Sequence, residues 1–112
     1  MSDKLIVFCT CSSAEEAERV SRRLLEDRLA ACVNIVPGVR SLYWWEEEIE
    51  ESFEALLMVK TSQDRFDAVR LAIEATHSYA VPEVVAVPVE RISQLYLEWW
   101  SEQLTETQDS GK

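Results

Sequence analysis

The stretch that decides between two possible folds is residues 32–60, which read CVNIVPGVRSLYWWEEEIEESFEALLMVK. Its first part, Cys32–Trp45, is rich in β-branched and aromatic residues, and an apolar strand returns through Phe53–Lys60. Pro37-Gly38 predicts a bulge or bend in the first of these strands. The acidic link Glu46–Glu48 turns the chain and is too short for a parallel crossover. The two strands are therefore predicted to form an antiparallel hairpin.

A strand and a helix are predicted before the hairpin. The apolar, β-rich run Lys4–Thr10 indicates the first strand. Ser13 stands three residues before Glu16, the spacing of a capping box, in which each side chain bonds the other residue's backbone N–H. A helix is predicted from there, over Ala14–Ala31, with its apolar residues on one stripe.

A helix, a strand and a further helix are predicted after the hairpin. Ser62 is the expected N-cap of the second helix, which Val81-Pro82 must interrupt because proline cannot continue a helix. Glu83–Val89 is apolar enough for a fourth strand. A last amphipathic helix is predicted over Ser93–Leu104.

The resulting element order is β-α-β-β-α-β with an additional C-terminal helix. With a hairpin at its centre, this order predicts a ferredoxin-like α+β sandwich, a four-stranded antiparallel sheet with two helices on one face. A doubly wound parallel sheet fits less well, because the second and third strands are joined by a short link. Residues 1–104 are predicted to form this single domain, and the polar tail 105–112 is expected to be disordered.

The predicted strands are apolar on both faces, although helices would cover only one face of the sheet. Ala55–Val59 lacks any polar residue, and Leu42–Trp45 ends in three consecutive aromatic residues. Left exposed, such a face would be a large apolar patch of the kind that marks an interface. We therefore expect a homo-oligomer. The alternative is that the last helix folds back across this second face.

Composition narrows the possible partners and the compartment. The net charge is −10, from 21 acidic and 11 basic side chains, so nucleic acid is a poor partner. No apolar run approaches the roughly 20 residues that span a bilayer, and the N-terminal apolar run is too short for a signal peptide. Three cysteines without a disulfide framework suggest reduced thiols. These features predict a cytoplasmic location and no membrane association.

Candidate chemistry lies in the cysteines and in the only histidine. Cys9-x-Cys11 would place both thiols on one face of a strand end, a spacing compatible with a soft metal. A buried strand cysteine is more often a small hydrophobe, and we expect Cys11 in a loop and Cys32 in the core. His77 is predicted at the end of the second helix, where a cation suits the helix dipole, and the polar segment after it is of the kind that lines pockets.

Other patterns argue against specialised chemistry. The glutamates between 46 and 54 indicate a solvated hairpin tip, because they lack the spacing and glycine of a calcium loop. With two glycines, the chain has no room for a phosphate-binding loop or a dinucleotide fingerprint. No pair of nucleophile and base is evident beyond the single histidine. We therefore expect neither an enzyme nor an organic cofactor.

Four segments stand in order at intervals typical of one protein family. They are LAACVNIVPG at 29–38, SLYWWE at 41–46, EALLMVKT at 54–61 and HSYAVPE at 77–83. Together they closely resemble the CutA family of divalent-cation tolerance proteins, over about residues 4–101.

The resemblance implies a compact homotrimer of ferredoxin-like subunits, with sheets packed edge to edge and a small cleft between subunits. It also implies a cytoplasmic protein involved in tolerance of copper and other divalent cations. The implied trimer is similar to that of the nitrogen-regulatory PII signalling proteins. The alternative is therefore a regulatory trimer that binds a small ligand or a protein partner at the intersubunit cleft, around Tyr43, Trp44, Tyr79 and Glu83.

The resemblance also implies a metal site, carried over one residue at a time. The family's strand-end cysteine falls on Cys9, its histidine on His77 and the glutamate of its Pro-Glu pair on Glu83. A thiol, an imidazole and a carboxylate suit copper or zinc, so copper(II) or another divalent cation is the expected ligand. The chain departs from the family pattern at Ser78, where proline is usual, and this is expected to loosen the backbone beside the histidine.

Overall fold

The computed structural model describes residues 3–105, which form one antiparallel sheet and three α-helices. In chain order the elements are β1 Lys4–Cys11, α1 Ala14–Glu26, β2 Cys32–Trp45, β3 Glu48–Ser62, α2 Phe66–Thr76, β4 Val85–Pro88 and α3 Gln94–Thr105, with a 3-10 turn at Gln63–Arg65 before α2. The strand order β2-β3-β1-β4, with every neighbouring pair antiparallel, confirms the predicted ferredoxin-like fold. Beyond Thr105, the predicted tail lies outside the described residues.

The main core lies between one face of the sheet and the helices α1 and α2. Alternate residues of β1, among them Val7 and Cys9, are fully buried there, as the two-residue period of a strand requires. They pack with Leu24 of α1 and Ile73 of α2 in one apolar cluster. The buried side chains at the end of β1 thus lie between the sheet and the helix layer.

Helix α1 begins as predicted but ends five residues early. The Ser13 hydroxyl accepts the backbone N–H of Glu16 at 3.1 Å, which is half of a capping box. The helix ends at Glu26 because Arg28 adopts a left-handed conformation, with φ of 57°. The N–H groups of Arg28 and Leu29 then bond the carbonyls of Leu25 and Leu24, which is a Schellman motif with arginine in place of the usual glycine.

The β2–β3 hairpin has the bulge and the turn that its sequence predicts. The register shifts between Val36 and Val39, where Gly38 takes a φ of 71°. Glu46 and Glu47 form a two-residue turn with φ of 51° and 69°, the geometry of a type I′ hairpin. The link is as short as the antiparallel topology demands.

Helix α3 covers only part of the second face of the sheet. Trp100 and Leu104 pack near Ile6, and the Trp100 indole N–H donates to the Thr61 carbonyl at 3.2 Å. Within residues 3–105, the outer half of the hairpin is exposed. Its four most exposed apolar side chains are Leu42, Trp44, Ile49 and Phe53, at 59, 71, 64 and 67% exposure.

Candidate metal centre

Two cysteines at the end of β1 point into the core beside the end of α2. Cys9 pairs with Leu57 and Cys11 with Ala55 across the β1–β3 ladder, and both side chains are fully buried. The expectation that Cys11 lies in a loop is wrong, because pairing with β3 continues through it. Cys32 is half-buried rather than in the core, with its thiol 3.9 Å from the Asn34 side-chain oxygen.

His77 follows the last residue of α2 and turns its ring inward. Its backbone N–H caps the helix by donating to the Ile73 carbonyl at 2.9 Å, and its side chain is fully buried. Nε2 lies 2.7 Å from the Thr10 carbonyl, which can only accept, so Nε2 carries the proton. Nδ1 then accepts the backbone N–H of Tyr79 at 3.1 Å. A neutral imidazole satisfies both contacts.

The fold brings Cys9, Cys11 and His77 into one group. One ligand atom from each, the two sulfurs and a ring nitrogen, lies within 4.8 Å of the others. Glu83, the third residue implied by the family resemblance, is not part of this group. Cys11 stands in the third position instead.

The interaction between the two thiols shifts their pKa values in opposite directions. The pKa of Cys9 is raised by its hydrogen bond with Cys11 and by burial. The same hydrogen bond lowers the pKa of Cys11, although burial opposes it. Cys11 is therefore the sulfur that ionises more readily in the metal-free chain.

A buried carboxylate anchors the segment that carries the histidine. Glu16 is 2% exposed and accepts the Ser12 backbone N–H at 2.9 Å, the Ser12 hydroxyl at 3.0 Å and the Ser78 backbone N–H at 2.6 Å. Burial alone would raise the pKa of Glu16, but the hydrogen bonds from Ser12 and Ser78 outweigh it and lower the pKa to about 2. One Glu16 oxygen lies 3.8 Å from the Nδ1 atom of His77.

The Ser78 hydrogen bond reverses the expectation drawn from its departure from the family pattern. A proline at this position has no N–H and would leave the Glu16 oxygen without this donor. The serine therefore ties the backbone beside the histidine to the start of α1, two elements that lie 62 residues apart in sequence. The backbone after His77 is therefore held by a hydrogen bond to Glu16.

Glu83 lines an open cavity next to the cysteine–histidine group. The cavity measures about 820 Å³ and lies between the hairpin and the segment after α2. Its walls are formed by Thr10, Arg40, Ser41, Leu42, Tyr43, Trp45, Glu50, Glu54, Tyr79, Ala80, Val81 and Glu83. Three of the four residues expected around a cleft are among them, whereas Trp44 is not.

A tyrosine–carboxylate pair forms one wall of this cavity. Glu54 is only 8% exposed, and its carboxylate accepts the Tyr79 hydroxyl at 2.6 Å. Burial and the Glu54 carboxylate raise the pKa of Tyr79, so the hydroxyl stays protonated. The guanidinium of Arg40, also on the wall, pairs with Glu51. The cavity is thus aromatic and predominantly acidic.

Two residues of this region, Cys11 and Glu16, are not among the ligands that the sequence predicts. The Cys9-x-Cys11 spacing already placed both thiols on one face, but the first strand was ended one residue too early. Glu16 was seen only as a capping residue, because its contact with Ser78 joins distant parts of the chain.

Among the described residues, no helix is long and apolar enough to cross a membrane.

Comparisons with known proteins agree with this architecture. The family model described as CutA1 divalent ion tolerance protein matches residues 5–103. The divalent-cation tolerance protein CutA of Archaeoglobus fulgidus is 46% identical over 96 residues, which cover 86% of this chain and 93% of that protein. A structure described as the periplasmic divalent cation tolerance protein CutA of Archaeoglobus fulgidus has a TM-score of 0.87 at 44% identity, covering 90% of this chain and 98% of that one.

A second solved structure is equally similar. The divalent cation tolerance protein of Thermus thermophilus has a TM-score of 0.87 at 43% identity, covering 89% of this chain and 97% of that one. The family model and these relatives each span most of the chain. The chain therefore belongs to the CutA1 divalent ion tolerance protein family.

Proposed function

We propose that this protein confers tolerance of divalent metal ions by binding copper or a similar cation, as a cytoplasmic homotrimer. One observation carries the metal-binding part: Cys9 and His77, predicted as ligands from distant parts of the sequence, meet in one buried group. Thiolate and imidazole are ligands that copper and zinc accept. The names of the related proteins support the same role.

The histidine must exchange a hydrogen bond to bind a metal. Both ring nitrogens are already engaged, one with the Thr10 carbonyl and one with the Tyr79 N–H. If Nε2 binds the cation, the proton moves to Nδ1, which faces the Glu16 carboxylate at 3.8 Å. Carboxylates commonly orient metal-binding histidines in this way. Glu16 is therefore proposed as the positioning residue of the site.

Glu83 is proposed as an additional oxygen ligand, with a test of its own. It is exposed and lines the adjoining cavity, on the segment that leads from His77 into β4. Glu83→Gln removes the carboxylate charge without changing the buried group. A lower affinity for divalent copper in this variant supports ligation, and an unchanged affinity excludes Glu83 from the ligand set.

The experiment for the metal site is equilibrium dialysis of metal-free protein against copper(II), with copper counted per chain. We expect one copper per chain at micromolar free metal, and loss of that copper in Cys9→Ala and in His77→Ala. Cys32→Ala is the matched control, because its thiol lies outside the group. Undiminished copper in both ligand variants would contradict the proposal.

The proposed trimer has support in the uncovered hairpin. Leu42, Trp44 and Phe53 are large apolar side chains that stay more than half exposed on neighbouring strands, and clustered apolar exposure of this kind marks an interface. Light scattering coupled to size-exclusion chromatography is expected to give the mass of three chains.

Cell fractionation tests the proposed cytoplasmic location, since a similar protein is described as periplasmic. We expect the protein in the cytoplasmic fraction.

A second candidate function, a regulatory trimer that binds a small ligand, is favoured by the cavity of about 820 Å³. Its buried Glu54 carboxylate is bonded by a neutral hydroxyl rather than by a cation, which favours a ligand that carries a positive charge. Metal-free protein would then be stabilised against heating by such a ligand. A metabolite panel without any thermal shift would count against this function. For both candidates we propose binding rather than catalysis.

A further inference from the structure

We propose that Cys11 is a metal ligand and that Cys9, Cys11 and His77 form a site selective for copper(I). This inference rests on the proposed metal-binding function and specifies its cation. It departs from a divalent ion held by a cysteine, a histidine and an exposed carboxylate. The group offers two sulfurs and one nitrogen instead.

The positions of the two sulfurs favour joint ligation. Cys9 and Cys11 are two residues apart on one strand, so both side chains project to the same face of the sheet. Both are fully buried. The ladder with β3 fixes the strand through both residues. The imidazole comes from the residue that caps α2, a separate rigid element. Two of the three ligands are thus held by the sheet, and the third is the first residue after α2, where its N–H caps the helix.

Among the described residues, the group of Cys9, Cys11 and His77 contains no carboxylate. Glu16, whose carboxylate lies 3.8 Å from the Nδ1 atom of His77, already accepts three hydrogen bonds, from Ser12 and Ser78. Glu83 lies outside the group, on the wall of the open cavity. Copper(II) prefers nitrogen and oxygen ligands in a tetragonal arrangement, whereas soft thiolates select copper(I). The local ligand chemistry therefore matches the monovalent ion.

The number of ligands separates copper(I) from zinc, the other thiophilic candidate. Structural zinc sites are closed by four protein ligands, and catalytic sites complete the tetrahedron with water. The group among the described residues has three, and their burial leaves little access for water. Copper(I) is stable with two or three ligands. A preference for copper(I) over zinc follows.

The alternative is that Cys11 only fills space in the core, where it packs with Cys9 and Ala55. Under that reading, Cys11→Ala affects the free energy of unfolding and leaves metal affinity alone. Under ligation, the same variant loses one of two sulfur ligands. Metal affinity and metal–sulfur coordination therefore distinguish the two readings directly.

The test is an anaerobic competition titration of the full chain, in which copper(I) is partitioned between the protein and bathocuproine disulfonate. We expect one copper(I) per chain, and a loss in affinity for Cys11→Ala that exceeds the roughly 10–100-fold typical of removing an outer-shell partner. Cys32→Ala should bind like the parent chain. X-ray absorption of the copper(I) protein should show two sulfur neighbours, and one in Cys11→Ser.

Three results would overturn the inference. They are a Cys11→Ala affinity within about threefold of the parent, a single sulfur neighbour in the parent protein, or zinc displacing copper(I) at equal concentration. Cys11→Ser guards against misfolding, because it preserves the shape of the side chain, and circular dichroism checks both variants. If Cys9→Ala and His77→Ala also leave binding unchanged, the proposed function fails as well. If only the Cys11 variants leave copper binding unchanged, this inference fails and the proposed function stands.

Discussion

Replacing Glu16 by glutamine should remove a buried charge that the fold stabilises strongly. The carboxylate is 2% exposed and accepts three hydrogen bonds, which hold its pKa near 2 instead of the ordinary 4.5. The difference is about 2.5 units, and each unit corresponds to about 1.4 kcal/mol. The ionised side chain therefore contributes about 3 kcal/mol to the free energy of unfolding at neutral pH.

The sign of the pH dependence follows from the direction of this shift. Because the pKa is lower in the folded chain than in the unfolded chain, the contribution of Glu16 is fully present above pH about 4.5 and is lost as the pH falls toward about 2. Glu16→Gln should be less stable than the parent by about 3 kcal/mol at pH 7. The gap between the two proteins should narrow steadily below pH about 4.5.

Urea denaturation at one fixed chain concentration measures this difference, since the stability of an oligomer depends on concentration. Glu15→Gln is the matched control, because Glu15 is exposed in the same turn of α1 and should change the free energy by less than about 0.5 kcal/mol. The reasoning is refuted if Glu16→Gln loses less than about 1 kcal/mol, or if its deficit is the same at pH 7 and pH 3.

Three further predictions concern neighbouring features. Ser78→Pro removes the N–H that Glu16 accepts and should lower the free energy of unfolding in urea by about 1–3 kcal/mol; Ser78→Ala keeps the N–H, and an equal loss there would contradict this. Tyr79→Phe leaves the buried Glu54 carboxylate without its hydroxyl donor and should lower the thermal midpoint, which calorimetry measures; an unchanged midpoint would show that this bond is dispensable. Trp44→Ser should weaken subunit association in light scattering without unfolding the chain, and an unaltered mass at low micromolar concentration would remove the hairpin from the interface.

The topology was predictable because one local feature determines it. A link of two residues between β2 and β3 leaves only a hairpin, and helices on either side of that hairpin complete the ferredoxin-like order. The end of α1 was not predictable in the same way. Arg28 adopts the left-handed conformation that glycine usually signals, so the sequence carries no stop signal there.

The family pattern names two residues of the candidate group, Cys9 and His77, but it does not give the contacts that join distant parts of the chain. Cys9 and His77 lie in one group, whereas Glu83 lines the adjoining cavity. The role of Cys11 depends on how far β1 pairs with β3, which is a matter of register rather than propensity. The contact between Glu16 and Ser78 requires the packed fold, since no local pattern joins them.

Native mass spectrometry of the protein after loading with copper under reducing conditions tests the central claim most directly. It reports the number of subunits and the number of bound metal ions on the same particle. We predict three chains with one copper each, and chains without copper when Cys9 is replaced by alanine. A monomer, or an assembly that takes up no copper through the cysteine–histidine group, would contradict the account.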